Sequence, residues 1–144
     1  MAPKMLLRTM RRIARRVAGL DLKILIVDDE ADLVETCVRL LRGLGFLCIA
    51  ADSGPRAIAL MQSEKPDLVV TDLSLPIGDG FQVSRHALTH SPAIPVIIIT
   101  AYNSTENIER ARMLGVSDYL AKPVSNGDLT QAVRKVLHPW SNHF

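Results

Sequence analysis

Residues 69–80, Val-Val-Thr-Asp-Leu-Ser-Leu-Pro-Ile-Gly-Asp-Gly, constrain the fold more than any other stretch. An apolar run that ends in Asp72 and then meets Pro76, Gly78 and Gly80 predicts a buried strand that carries a carboxylate to its C-terminal edge before the chain turns away. Open parallel sheets hold their ligands in the crevice at that edge. Other runs end in the same way: residues 23–27 lead into Asp28-Asp29, residues 96–99 into Thr100, and residues 118–121 into Lys122-Pro123. Laid parallel and side by side, such strands bring three carboxylates, a hydroxyl and an amine to one edge.

Between these runs the period changes from that of strands to that of helices. Residues 22–27, 46–51, 67–71, 96–99 and 117–121 are expected strands, and residues 31–44, 54–63, 80–89, 105–114 and 128–137 are expected helices. In the first helix Leu33, Val34, Cys37, Leu40, Leu41 and Leu44 form one apolar stripe, with Gly43 and Gly45 as its stop. Ser53 is the expected cap of the second helix, with Pro55 in its first turn. Five strands alternating with five helices predict an α/β fold with a doubly wound parallel sheet, because parallel strands need crossover helices and bury both faces. The expected organisation is an extension over residues 1–20, one module over 21–138 and a tail over 139–144, too short for an output domain.

Charge divides the chain unevenly. Residues 1–20 carry Lys4, Arg8, Arg11, Arg12, Arg15 and Arg16 and no acid, whereas the remainder carries eleven bases and fifteen acids, net −4. A globally basic nucleic-acid binder is therefore excluded; the basic character belongs to the head. There Leu6, Leu7, Met10, Ile13, Ala14, Val17 and Leu20 recur at helical intervals, the pattern of an amphipathic helix with a basic face. Three roles are open for it: an extension that packs on the body or on a second copy, contact with an anionic membrane surface, or binding of nucleic acid or an acidic partner. Arginines interrupt every apolar run long enough for a secretory signal, and no run approaches the roughly 18 residues of a membrane span. Cys37 and Cys48, the only cysteines, read as free buried thiols of a cytoplasmic protein.

Asp28, Asp29 and Asp72, brought to one edge, require a counter-ion, since like charges a few Å apart share protons or bind a cation. All-oxygen ligation favours Mg²⁺. Taken singly, Asp28 is as well read as a helix cap, Asp29 as a solvated first-turn acid, Lys122 as a surface charge and Thr100 as a strand end. Together they suit phosphoryl chemistry: an aspartate nucleophile beside a metal, a hydroxyl for a phosphoryl oxygen, and an ammonium to neutralise the remaining charge.

These elements, together with Leu75-Pro76-x-x-Asp79-Gly80 and Tyr119-x-x-Lys122-Pro123, resemble the receiver domain of bacterial two-component response regulators over residues 22–137. The resemblance implies a flavodoxin-like sheet of order 2-1-3-4-5. It implies that Asp72 is the phosphoacceptor, that Asp29 binds Mg²⁺ directly and Asp28 largely through water, and that Ser74 offers its backbone carbonyl to the metal. Lys122 would pair with the phosphoryl group next to a cis Lys122-Pro123 bond, and Thr100 and Tyr119 would form the switch pair. Ser74 and Tyr102 occupy positions that tune the lifetime of the acyl phosphate. Leu75 stands where the family often has Met, without chemical consequence.

The implied function is a phosphorelay switch. It accepts a phosphoryl group from a histidine kinase or phosphotransfer protein and changes the face of the fourth helix, fifth strand and fifth helix to control a partner or a homodimer, with no direct DNA binding expected. An aspartyl phosphohydrolase of the haloacid-dehalogenase type is the enzyme alternative, but Asp28 is followed by Asp29-Glu30, which lacks the second aspartate at the required spacing. A receiver-like module that only binds is the other alternative, and the complete Asp28, Asp29, Asp72, Thr100 and Lys122 set argues against it.

Overall fold

A computed structural model describes residues 22–137 and, within the head, Leu6, Leu7, Met10, Arg11 and Ala14. Those five are helical and exposed. The helix expected over 1–20 and the tail from 138 onward otherwise lie outside the described residues.

The described body alternates strand and helix throughout: β1 Lys23–Val27, α1 Ala31–Gly43, β2 Leu47–Ala51, α2 Gly54–Glu64, β3 Leu68–Thr71, α3 Gly80–Thr89, β4 Val96–Thr100, α4 Thr105–Leu114, β5 Asp118–Ala121 and α5 Asn126–Leu137. All strand pairs are parallel, in the order β2-β1-β3-β4-β5. This is the five-stranded, doubly wound flavodoxin-like sheet that the sequence implies.

Alternation along each strand sends side chains to opposite faces, and each face has its own core. Ile24, Ile26, Val70, Ile97 and Ile99 pack with Cys37 and Leu41 of α1 and Leu129 and Val133 of α5. Leu25, Val27, Val69 and Ile98 pack with Ala57 and Met61 of α2, Phe81 and Val83 of α3 and Ala111 of α4. Each fully buried Leu, Ile, Val or Met contributes about 1.5–3 kcal/mol, so the two layers hold the sheet between them.

Local caps account for the element ends. Ser53 Oγ accepts from Arg56 N–H at the start of α2, Asp79 Oδ1 from Gln82 N–H at α3, and Ser104 Oγ from Asn107 N–H at α4. The last helix begins at Asn126 rather than at 128, because the Ser125 hydroxyl accepts the Asp128 N–H at 3.0 Å and draws the first turn back. α2 runs one residue past the expected end, to Glu64, and stops on Lys65 in the left-handed region. Among the described residues no helix is long and apolar enough to cross a membrane.

The strand order decides where a site can form. The chain leaves β1 for β2 on one side and returns to β3 on the other, so the crevice at the C-terminal ends of β1 and β3 is the topological switch point. Asp28 and Asp72 are the residues that follow those two strands.

Candidate functional site

Backbone bonds that continue the sheet ladder fix the site residues. Asp28 N–H donates to Ala51 O at 3.0 Å, Asp72 N–H to Val27 O at 2.9 Å and Lys122 N–H to Thr100 O at 2.9 Å. The three side chains are therefore carried on the rigid part of the fold and not on free loops. The peptide bond from Lys122 to Pro123 is cis, as the resemblance implies.

Lys122 reaches across the edge into an acidic cluster. Its Nζ donates to Asp72 Oδ2 at 2.8 Å, to Asp28 Oδ2 at 2.9 Å and to Glu30 Oε1 at 2.9 Å. Asp28 and Asp72 are each only 5% exposed, whereas the Glu30 side chain is 63% exposed. The two buried carboxylates keep further donors: Glu30 N–H bonds Asp28 Oδ1 at 2.9 Å and Ser74 N–H bonds Asp72 Oδ1 at 3.2 Å.

The electrostatics follow from burial and close charge. Burial raises the Asp28 pKa, opposed by the Glu30 N–H and by Lys122, and the charge of Asp72 adds to the rise. Burial pulls the Lys122 pKa down, but the bonds to Asp72, Asp28 and Glu30 outweigh it and leave the ammonium above the ordinary lysine range. The cation is thus held firmly charged among carboxylates.

The loop after β3 folds back on itself. Ser74 and Asp79 form an isolated antiparallel bridge, and Gly80 N–H returns to Leu73 O at 2.9 Å. The turn brings Gly80 so close to the strand end that a Cβ there would lie 2.1 Å from Asp72 O and 2.7 Å from Leu73 Cα. Only glycine allows α3 to start directly against the residue that bears the site carboxylate.

Thr100 is completely buried at the end of β4, and its Oγ1 accepts the Tyr102 N–H at 3.2 Å. The Tyr102 carbonyl receives two donors, the Tyr119 hydroxyl at 2.5 Å and Asn107 Nδ2 at 3.0 Å. The Tyr102 backbone is therefore tied to both members of the expected switch pair and to α4. Burial raises the Tyr119 phenol pKa, with a further contribution from the Asp72 charge. Tyr102 as a residue is nonetheless 59% exposed.

Of the residues expected at the site, Asp28, Asp72 and Lys122 meet directly, and Thr100 closes the neighbouring strand end. Asp29 is exposed and lines the open groove between α1 and β2 with Val34 and Val38. Its carboxylate is outside the group formed by Asp28, Glu30 and Asp72, whose oxygens lie within 4.8 Å of one another. Glu30, considered in the sequence only as a mismatch to a hydrolase pattern, is the carboxylate that joins this group. It is the N-cap residue of α1, and its side chain makes no capping hydrogen bond, which leaves it to Lys122.

Three carboxylates that already hold an ammonium form an acidic pocket whose hard oxygen donors fit Mg²⁺, an ion that keeps waters and accepts phosphate oxygens. The pocket is of the kind that carries a phosphoacceptor aspartate.

Comparison with known proteins agrees with this geometry. Residues 24–134 match the family model of the response regulator receiver domain. The chain is 35% identical over 117 residues to the transcriptional regulatory protein ZraR of Escherichia coli strain K12, covering 81% of this chain and 26% of that protein. It is 33% identical over 123 residues to the probable transcriptional regulatory protein TcrX of Mycobacterium tuberculosis, covering 85% of this chain and 53% of that protein. It thus spans about a quarter to a half of the length of these relatives. Among solved structures, a CheY-like response regulator receiver domain protein from Methanospirillum hungatei JF-1 superposes with a TM-score of 0.79 at 26% identity, covering 86% of this chain and 99% of that one. With sheet order, acidic pocket and sequence in agreement, the chain belongs to the response regulator receiver domain family of two-component signalling.

Proposed function

We propose that this chain is a phosphoacceptor switch in which Asp72 takes a phosphoryl group from a histidine kinase or phosphotransfer protein. The observation that carries this reading is the Lys122 ammonium held 2.8 Å from the Asp72 carboxylate, inside an acidic pocket at the switch point of the sheet. A carboxylate oxygen of Asp72 attacks phosphorus while the bond from phosphorus to the donor's imidazole nitrogen breaks, and the imidazole takes up a proton. The product is an acyl phosphate. Asp28, Asp29 and Asp72 with the Ser74 backbone carbonyl are the proposed holders of Mg²⁺, and Glu30 joins them on its proximity to Asp28 and Asp72. Bound there, the ion spreads charge away from the phosphoryl oxygens.

Lys122 then exchanges carboxylate partners for the phosphoryl group. Thr100 turns its hydroxyl toward a phosphoryl oxygen and releases the Tyr102 N–H, and Tyr119 responds through its bond to the same residue. The face of α4, β5 and α5 changes shape, which presents a new surface to a downstream protein or to a second copy. Ser74 and Tyr102 set how long the acyl phosphate resists water. The module signals by its own modification and does not turn over a separate substrate. A reducing cytoplasm suits its two free, buried thiols. The receiver module is assigned to residues 21–138, between the basic head and the tail.

The test is intact-mass measurement after incubation with a small phosphodonor and Mg²⁺. One added phosphoryl group on the native chain and none on Asp72→Asn is the expected result. Labelling of the Asn variant, or none of the native chain, overturns the assignment. Size exclusion of the same samples shows whether phosphorylation pairs two copies.

A further inference from the structure

We propose that the N-terminal head is a docking element for anionic lipid headgroups, which would bring the receiver to a membrane surface. Two independent features converge on it. Leu6, Leu7 and Met10 are 60%, 48% and 56% exposed, and with Ala14 they are helical and recur at three- and four-residue spacing. Around them the sequence places Lys4, Arg8, Arg11, Arg12, Arg15 and Arg16 and not one acid within the first twenty residues.

Each feature selects against the other occupants. A reader of nucleic-acid phosphates needs the bases but not an exposed Leu, Leu and Met, since phosphate contacts are polar and electrostatic. Packing on the body would cover these side chains, which are instead exposed. Two heads meeting through their apolar residues would bring six bases against six, with no acid in either to offset them. An anionic bilayer satisfies both features: apolar side chains enter the boundary of headgroup and acyl chain while the bases remain among the phosphates. Each base near such a surface strengthens binding by about fivefold, and the contribution fades within a Debye length. The body, net −4, is repelled by the same surface, so the head is the part of the chain that faces it.

Co-sedimentation of the full chain with vesicles tests this, comparing pure phosphatidylcholine with a mixture containing phosphatidylglycerol. Binding is expected to the anionic vesicles alone, to weaken at least tenfold between 0.05 and about 0.5 M salt as the screening length contracts, and to be lost in the double variant Leu6→Glu, Met10→Glu. An unchanged thermal midpoint in that variant shows that the body is intact, and the phosphorylation assay at Asp72 is not needed to interpret the result. Absence of vesicle binding overturns the proposal. So does equal binding to both vesicle types, retained binding in the double variant, tighter binding to a short DNA duplex than to anionic vesicles, or a head-dependent dimer in size exclusion that excludes vesicles.

Discussion

Lys122 Nζ and Asp72 Oδ2 lie 2.8 Å apart, joined across the C-terminal edges of two strands that are not neighbours in the sheet. The same ammonium serves Asp28 and Glu30, so it is the shared counter-charge of three carboxylates. Lys122→Met leaves the buried pair Asp28 and Asp72 without a cation. Breaking a fully buried pair costs about 3–5 kcal/mol; because Glu30 is largely exposed and water reaches the edge, a loss of about 2 kcal/mol is expected here. Urea unfolding in EDTA measures it, and added Mg²⁺ should recover part of the loss in the variant. Phosphorylation by a small donor should slow at least tenfold. A variant as stable as the native chain in EDTA would show that Lys122 does not balance the cluster.

Gly80 and Gly43 offer opposite outcomes for one substitution. At Gly80 an added methyl meets the Asp72 carbonyl oxygen and the Leu73 Cα, both backbone atoms that cannot rotate away. Gly80→Ala should therefore cost about 3 kcal/mol and slow phosphorylation of Asp72 by displacing it. At Gly43, the last residue of α1, a Cβ meets nothing within 4 Å. Gly43→Ala should stabilise the fold by about 0.5 kcal/mol through helix propensity and a less flexible unfolded chain. Urea midpoints of the two variants, measured side by side, decide both.

The division between what was legible in the sequence and what was not follows the range of the interactions. Asp28, Asp72 and Lys122 were legible because each directly follows an apolar run, and parallel strands put the residues after such runs on one edge. α2 was legible through Ser53, whose hydroxyl caps it, and Pro55 in its first turn. Glu30 was not, because its role depends on how far a side chain at the end of a loop reaches, and neither periodicity nor a turn residue encodes that distance. Asp29 follows Asp28 directly in sequence, yet its carboxylate is outside the group formed by Asp28, Glu30 and Asp72, a difference between neighbours that no local pattern encodes. The bond from Asn107 to the Tyr102 carbonyl was equally hidden, since it joins two residues whose local patterns read only as loop and helix start.

Tyr102 links a backbone tether with an aromatic ring, and the two parts can be separated. Tyr102→Ala keeps the carbonyl that accepts from Tyr119 and Asn107 and the N–H that donates to Thr100, while removing the ring. If the ring screens the acyl phosphate from water, the phosphoryl lifetime should shorten severalfold with little change in stability. Asn107→Ala does the reverse, removing one of two donors to a shared carbonyl at a cost of about 1 kcal/mol. Dephosphorylation time courses of both variants give the comparison, and an unchanged or longer lifetime in Tyr102→Ala counts against screening by the ring.

Cys48 gives the fold a pH dependence of defined sign. It lies in β2 opposite Ile24 of β1, 8% exposed, and burial pushes its thiol from the ordinary 9.0 up to about 11, against a smaller opposing effect of the Arg42 charge. The folded chain therefore keeps this proton to about pH 11, whereas the unfolded chain releases it near 9. Between those values the unfolded state binds fewer protons, so stability falls as pH rises, by at most about 1.4 kcal/mol per pH unit for one group. Cys48→Ala removes this dependence and, at pH 8, costs about 1 kcal/mol for the lost packing. The advantage of the native chain over the variant is thus expected to shrink from pH 9 upward and to vanish or reverse by pH 11. Titrating groups remote from Cys48 are common to the two chains and cancel in the difference, whereas Cys37, whose charge adds to the rise at Cys48, acts in the same direction. Urea unfolding of both at pH 8, 9, 10 and 11 provides the measurement, and a constant gap across that range would mean that Cys48 ionises as readily in the folded chain as in the unfolded one.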